Sequence, residues 1–480
     1  MINRITHSIF LFILVIAMFT ACDNNSTKPP TPKPEDPVGD VEAWLTIGNE
    51  SMLMGKQAID FSKDLGDFTI ILDSTVTYQT IDGFGAALTG SSAYLINKLS
   101  KENRQILLED LFDPDKGIGL NYLRITIGSS DFSIGTYSYC DGGNIESFAI
   151  PSVDKNDLIP VLKEILTINP TMKILASPWS APAWMKSNNS MYGGSLKGSE
   201  VYDDFAEYFV RYIKAFEAEG ITIDAITLQN EPMHEINTYP TMKMEWQEQS
   251  TIIRDYLGPK FVSNNIKTKI IIWDHNFDMS YYPLNILNDA LAKQYIAGTG
   301  WHGYGGTADA IDAVQEVHPD KDVYFTEQSG GGWNTDTRMG NMFYYMRSFL
   351  MASVNRGSKN FIMWNLALDE NNGPTTTTGG CQNCRGVVTI RSNGNYYKNE
   401  EYYLLGHFSK NVRLGAVRIK NSSTKLPSGM TTASFMNEDG TKVLVVMNRT
   451  KSNQKYLVRS GNRRFLYNQL DESVVTFKFK

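Results

Sequence analysis

Positive charge is in deficit in this 480-residue chain: 45 Lys and Arg stand against 52 Asp and Glu, for a formal net charge of −7. Nothing is basic enough to follow a phosphate backbone, so DNA and RNA are excluded as partners. Histidine and cysteine are sparse, at six and four residues. No His-rich spacing, P-loop or dinucleotide fingerprint occurs, so neither a cofactor nor a metal is expected. Cys381 and Cys384 form a C-x-x-C with no second Cys or His pair nearby. In an exported chain a small loop disulfide is expected there rather than zinc, with Cys140 left free. Long apolar runs are missing as well. The run Ile9–Phe19 is too short to span a bilayer and fits a signal-peptide core.

What is present begins with an address. Arg4 precedes that core and Thr20-Ala21-Cys22 follows it. Small residues before a cysteine resemble a bacterial lipobox, in which residues 1–21 are removed and Cys22 carries lipid; the alternative is an ordinary secretory signal with an incidental cysteine. Residues 22–42 then read as the lipidated cysteine and a Pro-rich spacer unable to bury a core. The expected product is an exported lipoprotein of the bacterial outer membrane, monomeric, held to the membrane only through its anchor.

With 42% hydrophobic and 20% charged residues, the rest is expected to form one large domain and an accessory one. Residues 43–79 are strand-like, notably Phe68–Leu72 and Val76–Tyr78. From Thr80 the chain alternates strand and helix signals about eight times, with strand ends near Phe84, Thr126, Ser177, Gln229, Trp273, Trp301, Thr326 and Trp364. The clearest helix is Asp203–Glu219, where Phe205, Phe209, Tyr212 and Phe216 share a face, Asp203 or Asp204 can cap the start, and Gly220 can end it. This predicts an α/β fold, a (β/α)8 barrel over residues 80–405, with a doubly wound sheet as the alternative. After Leu366 the helical period disappears. Alternating segments at Leu414–Ile419, Ala433–Met436, Val443–Met447, Lys455–Val458 and Val474–Phe479 predict a β-sandwich over 406–480, completed by strands from 43–79.

In such a barrel, function gathers at the C-terminal strand ends. Those positions carry Asp82, Arg124, Asp131, Trp179, Asn230, Glu231, Trp273, His302, Tyr304, Glu327, Trp364 and Asn365. Proline after Glu231 biases that residue to an extended conformation where backbone pairing stops. Two glutamates, Glu231 and Glu327, each follow an apolar strand, as the paired carboxylates of glycoside hydrolysis would. Trp179, Trp184, Trp273, Trp301, Trp333 and Trp364 lie at these ends or in the loops just after them, where flat faces could meet sugar rings. Arg124 can hold Glu327 ionised, although a buried structural pair of Arg124 and Asp131 is the blander reading. His302 reads equally as a site residue or as a group supporting one.

Seven ordered segments sharpen this: DGFGAALTGSSA (82–93), LRITIGSSDFS (123–133), ASPWSAPAWMK (176–186), LQNEP (228–232), WHGY (301–304), FTEQSGG (325–331) and MWNLALDENNGP (363–374). Through them the chain resembles glycoside hydrolase family 30, whose members include glucosylceramidases and endo-β-1,6-glucanases. The resemblance implies a barrel with a side β-domain made from both termini, and retention of anomeric configuration. It implies Glu231 as acid/base and Glu327 as nucleophile, with Arg124, Asp131, Trp179, Asn230, Tyr304 and Trp364 binding sugar or supporting the site. GGCQNCRGVVTI (379–390) is similar to a segment of the endo-β-1,6-glucanase branch, which makes β-1,6-glucan the expected substrate. Trp333 and Trp184 are expected as platforms and residues 370–386 as a groove wall. The alternatives are an exo-acting β-glucosidase or glucosylceramidase-like enzyme, and a non-catalytic glycan-binding lipoprotein.

Overall fold

The computed structural model describes residues 39–333, 339–376 and 380–480. The expected signal segment, Cys22 and nearly all of the spacer lie outside the described residues. Eight parallel strands close into a barrel in chain order: β1 Gly83–Ala87, β2 Tyr122–Thr126, β3 Lys173–Ser177, β4 Ala225–Thr227, β5 Lys269–Asn276, β6 Ile296–His302, β7 Asp322–Glu327 and β8 Ser358–Met363. All eight nominated strands are present, and the doubly wound alternative falls.

Side-chain parity sorts each strand. Tyr122, Leu175, Ala225, Ile271, Tyr324 and Ile362 fill the barrel interior as one layer, while Leu123, Ile125, Ile174, Ile226, Ile270 and Ile272 join the large core under the helices. Arg124, two residues after inward-facing Tyr122, therefore points inside the barrel one layer higher. Helix Tyr202–Ala218 buries Phe205, Phe209, Tyr212 and Phe216 against this core as the sequence predicts. Val201, not Asp203 or Asp204, occupies its N-cap position; the two aspartates lie in its first turn, where a carboxylate still favours the helix dipole. Gly220 follows the helix at φ +79°, a conformation glycine adopts without a Cβ penalty.

The accessory domain joins both termini. Strand Val41–Ile47 pairs antiparallel with Ser473–Phe479, and Phe68–Thr80 lies between Val417–Ser423 and Gln454–Ser460 in a nine-stranded sheet. That sheet folds over a core including Leu45, Ile70, Leu444, Tyr456 and Phe477. The other face of the same strands, with Val443, Val445 and Met447, belongs to the barrel core. Burial on both faces explains the unbroken apolar run Val443–Met447.

Three expectations need correction. The first strand starts at Val41, inside the predicted spacer, because Val41 and Ala43 are both buried. Helical structure returns after Leu366: helix Glu400–Ser409 crosses residue 405 and moves the domain boundary beyond Ser409. It escapes a periodicity search because it is buried on nearly every side, so it has no polar stripe. Its His407 is wholly buried, with Nδ1 2.9 Å from Thr476 Oγ1 and Nε2 2.8 Å from Thr46 Oγ1 on the two terminal strands. Asp82, finally, precedes β1 and sits at the N-terminal rim, 3.6 Å from Lys269 Nζ, opposite the site.

Candidate active site

Glu327 ends β7 and is buried, 6% exposed. The guanidinium of Arg124, wholly buried, donates to its Oε2, and Tyr304 Oη donates to its Oε1 at 2.9 Å. Tyr304 also accepts from the Ser329 backbone N–H at 2.9 Å, which fixes the phenol over the carboxylate. Glu231 stands four residues beyond β4. Its backbone is in the left-handed region at φ +46°, not extended as the following proline suggests. Two contacts override the proline: the Glu231 N–H donates to Asp274 O at 3.0 Å, and His234 N–H closes a turn onto Glu231 O at 2.8 Å.

His302, at the end of β6, bridges the site. Its Nδ1 is 3.0 Å from Glu231 Oε1 and 3.9 Å from Glu327 Oε1, and its Nε2 is 3.0 Å from Asp274 Oδ1. Carboxylate oxygens of Glu231 and Glu327 and a ring nitrogen of His302 all lie within 4.8 Å of one another. These three donors have the spread of a metal set; the positive charge they face is Arg124, bonded to Glu327. Asp274 completes the network. It accepts from Arg124 Nη2 at 2.8 Å and from the Thr227 and Thr326 hydroxyls at 2.7 Å each.

Burial would lower the proton affinity of His302, but Glu327, Asp274 and Glu231 around it hold it up to about 9. Burial would raise Glu231, and the His302 hydrogen bond outweighs it, holding the carboxyl at about 2. Glu231 and His302 thus titrate as one hydrogen-bonded pair that shares a proton. Glu327 is raised: burial and the negative Glu231 push it up, while His302, Arg124 and Tyr304 pull it back. Burial and Glu327 lift Asp131 to about 8, and its buried Oδ1 has no hydrogen-bond partner among the described residues.

The floor is aromatic. Trp179 and Trp364 stack at 4.9 Å between centroids, with the Arg124 guanidinium 4.8 Å from the first ring and 5.7 Å from the second. Arg124 is held on its other side by Asn230 Oδ1 at 2.8 Å, which leaves the Asn230 amide N–H groups free of that bond. Trp333 is 46% exposed, its ring so close to Gly331 that any Cβ there would collide with it.

Arg124, Asn230, Glu231, His302, Tyr304, Glu327, Trp179 and Trp364 therefore come together, with Asp131 near enough to feel Glu327. Asp131 makes no ion pair with Arg124, so the alternative of a buried structural pair falls. Three of the expected platforms do not face the site. Trp273 packs on Tyr282 at 4.6 Å and Trp301 stacks on Phe277 at 5.6 Å, both fully buried in the core. Trp184 is half-buried, its Nε1 tied to Cys140 O at 2.9 Å.

Asp274, the charge on which Arg124 and His302 converge, is not predicted by strand alternation. In β5, Ile271 points inward, so strict parity puts Trp273 inside and Asp274 outside. A bulge reverses this: the register with β6 shifts between Trp273 and His275, and both Trp273 (φ +74°) and Asp274 (φ +62°) take left-handed backbone. Strain of this kind, about 1–3 kcal/mol per residue, collects at functional sites. The polar ending of Lys269–Asn276, Asp-His-Asn after three isoleucines, is the signal that could have found it. Tyr239 is also missed by strand alternation; it packs against the apolar cluster that contains Trp179 and Trp364, and its hydroxyl is 2.9 Å from His234 Nε2.

Known proteins match this architecture. The model of the glycosyl hydrolase family 30 TIM-barrel domain matches residues 81–412, and that of the family's beta sandwich domain matches 415–477. The chain is 34% identical to the endo-1,6-beta-D-glucanase neg1 of Aspergillus fumigatus over 83% of its own length and 85% of that protein's. It is 30% identical to a putative glucosylceramidase of Caenorhabditis elegans, over 81% and 77% of the two chains. The solved endo-beta1,6-glucanase BT3312 superposes with a TM-score of 0.88 at 37% identity, covering 92% of this chain and 99% of that one. The chain belongs to glycoside hydrolase family 30.

Proposed function

We propose that this chain cleaves β-glucosidic bonds inside β-1,6-linked glucan with retention of anomeric configuration. The observation that carries the chemistry is the approach of Glu231 and Glu327, with one carboxylate oxygen of each within 4.8 Å of the other. Retaining enzymes hold the two carboxyls about 5–5.5 Å apart, whereas inverting enzymes need about 6.5–9.5 Å to admit a water. Glu327 is the nucleophile: Arg124 and Tyr304 neutralise its charge and aim it, and attack forms a covalent glycosyl-enzyme. Glu231 protonates the leaving oxygen with the proton it shares with His302, then takes one from the incoming water. Asn230 offers its amide to the sugar 2-OH, a contact that strengthens as oxocarbenium character develops.

Support for the β-1,6 linkage comes from the relatives named endo-1,6-beta-glucanases and from the segment carrying Cys381 and Cys384. Product profiling on linear β-1,6-glucan, aryl β-glucoside and glucosylceramide tests it. Short β-1,6-oligosaccharides early in digestion support the endo reading; glucose as the sole early product replaces it with the exo alternative.

The lipobox-like Thr20-Ala21-Cys22 and the Pro-rich spacer support an outer-membrane lipoprotein. Cys22→Ser is expected to move the protein from the membrane pellet to the soluble fraction, and an unchanged pellet counts against lipidation.

A further inference from the structure

Cys381 and Cys384 form a disulfide. Cys384 belongs to the buried apolar cluster that contains Phe132, Trp179 and Trp364, and Cys381 packs against that cluster, so the ring they close lies against the aromatic floor of the site. From there the chain ties two catalytic loops together. On one side Thr376 N–H donates to Asp131 O at 2.8 Å, and a Cβ at Gly380 would come into van der Waals contact with the Asp131 side chain. On the other, Cys384-Arg385 pairs antiparallel with Gly330-Gly331, and Gly332 N–H donates to Asn383 O at 3.0 Å.

The second junction is built for close approach. A Cβ at Gly330 would collide with Glu401, one at Gly331 with the Trp333 ring, and one at Gly332 would crowd Asn383 Oδ1. Arg385 locks it from beneath. Its guanidinium donates to Glu400 and, at 2.7 Å, to Glu401 Oε1, and both glutamates are buried. Glu400 in turn accepts from Met342 N–H at 2.8 Å and from Asn341 Nδ2 at 2.9 Å, at the start of the helix that follows the Trp333 loop. A half-buried, charge-paired guanidinium held by two buried carboxylates permits little sliding.

We propose that the Cys381–Cys384 ring and Arg385 act as a positioning clamp that sets the distance between the Trp333 loop and the Asp131 loop, and thereby selects for a glucan chain extending beyond the cleaved sugar. The clamp touches neither Glu231 nor Glu327; it acts through Trp333. This inference rests on the β-1,6-glucan reading above, and the substrates separate the two.

The test compares kcat/KM for linear β-1,6-glucan and an aryl β-glucoside in four proteins: wild type, Cys381→Ala/Cys384→Ala, Trp333→Ala, and the triple variant. Wild type that leaves the polymer uncut removes the substrate reading itself. Given cleavage by wild type, the cysteine variant is expected to lose about tenfold on polymer, at least fivefold more than on aryl glucoside, mostly through KM. In the Trp333→Ala background the same cysteine change should cost less than twofold, because interacting positions are non-additive. Equal losses on both substrates, additive losses with Trp333→Ala, or polymer activity within twofold of wild type each overturn the clamp. If the cysteine variant lacks native near-UV circular dichroism, folded wild type reduced and alkylated under native conditions replaces it and is judged by the same ratio.

Discussion

Asp274 Oδ1 lies 3.0 Å from His302 Nε2, while Asp274 Oδ2 lies 2.8 Å from Arg124 Nη2. One carboxylate thus steadies the cation beside Glu327 and the imidazole beside Glu231. Asp274→Asn keeps the shape and removes the charge, so Arg124 and His302 lose a shared counter-ion. At least a tenfold fall in kcat/KM is expected on both polymer and aryl glucoside, equivalent to about 1.4 kcal/mol or more of transition-state stabilisation. Wild-type rates in a folded Asp274→Asn protein would remove Asp274 from the account.

Replacing the two glutamates should separate their roles. Glu327→Ala is expected to abolish turnover on every substrate, because no covalent intermediate can form. Glu231→Ala should keep measurable activity on aryl glucosides with good leaving groups, which need little protonation, and lose it on polymer. Steady-state kinetics on an aryl series decide it, and the opposite pattern reverses the assignment.

Trp333 is the exposed aromatic nearest the nucleophile strand in sequence, and its ring is already supported by Gly331. Trp333→Ala is expected to cost more on β-1,6-glucan than on aryl glucoside; stacking on a sugar face contributes on the order of 1 kcal/mol, about a five- to tenfold effect. Equal losses would place Trp333 outside the substrate groove.

Acid should loosen the joint between barrel and β-domain through His407. Burial lowers this imidazole from 6.5 to about 3 in the folded protein. A histidine depressed on folding stays neutral in the native state while the unfolded chain takes up a proton, so its contribution is full above pH 6.5 and is lost as pH falls towards 3. The slope is at most about 1.4 kcal/mol per pH unit for one such group. His275, lowered by burial to about 4, adds to the same trend. Tm is therefore expected to fall between pH 6.5 and pH 4, and less steeply in a His407→Asn variant; parallel Tm curves for the two proteins would contradict this.

The barrel was legible because parallel strands buried on both faces write themselves as apolar runs, and because each run ends where polar and aromatic residues begin. Glu231 and Glu327 could be read for the same reason. Two kinds of feature could not. Asp274 and Trp273 exchange faces at a bulge, and parity is the assumption a bulge breaks. Helix Glu400–Ser409 has no polar stripe because core surrounds it. The tryptophans show the limit of composition: Trp179 and Trp364 stack at the floor, whereas Trp273 and Trp301, equally placed in sequence at strand ends, point outward into the core.

Whether Glu231 and Glu327 work as a retaining pair is reported directly by the anomer of the first product. Proton NMR during the first minutes of hydrolysis, before mutarotation, is expected to show the β-anomer of the new reducing end. An initial α-anomer would mean that water, not Glu327, attacks the sugar, and would contradict the account.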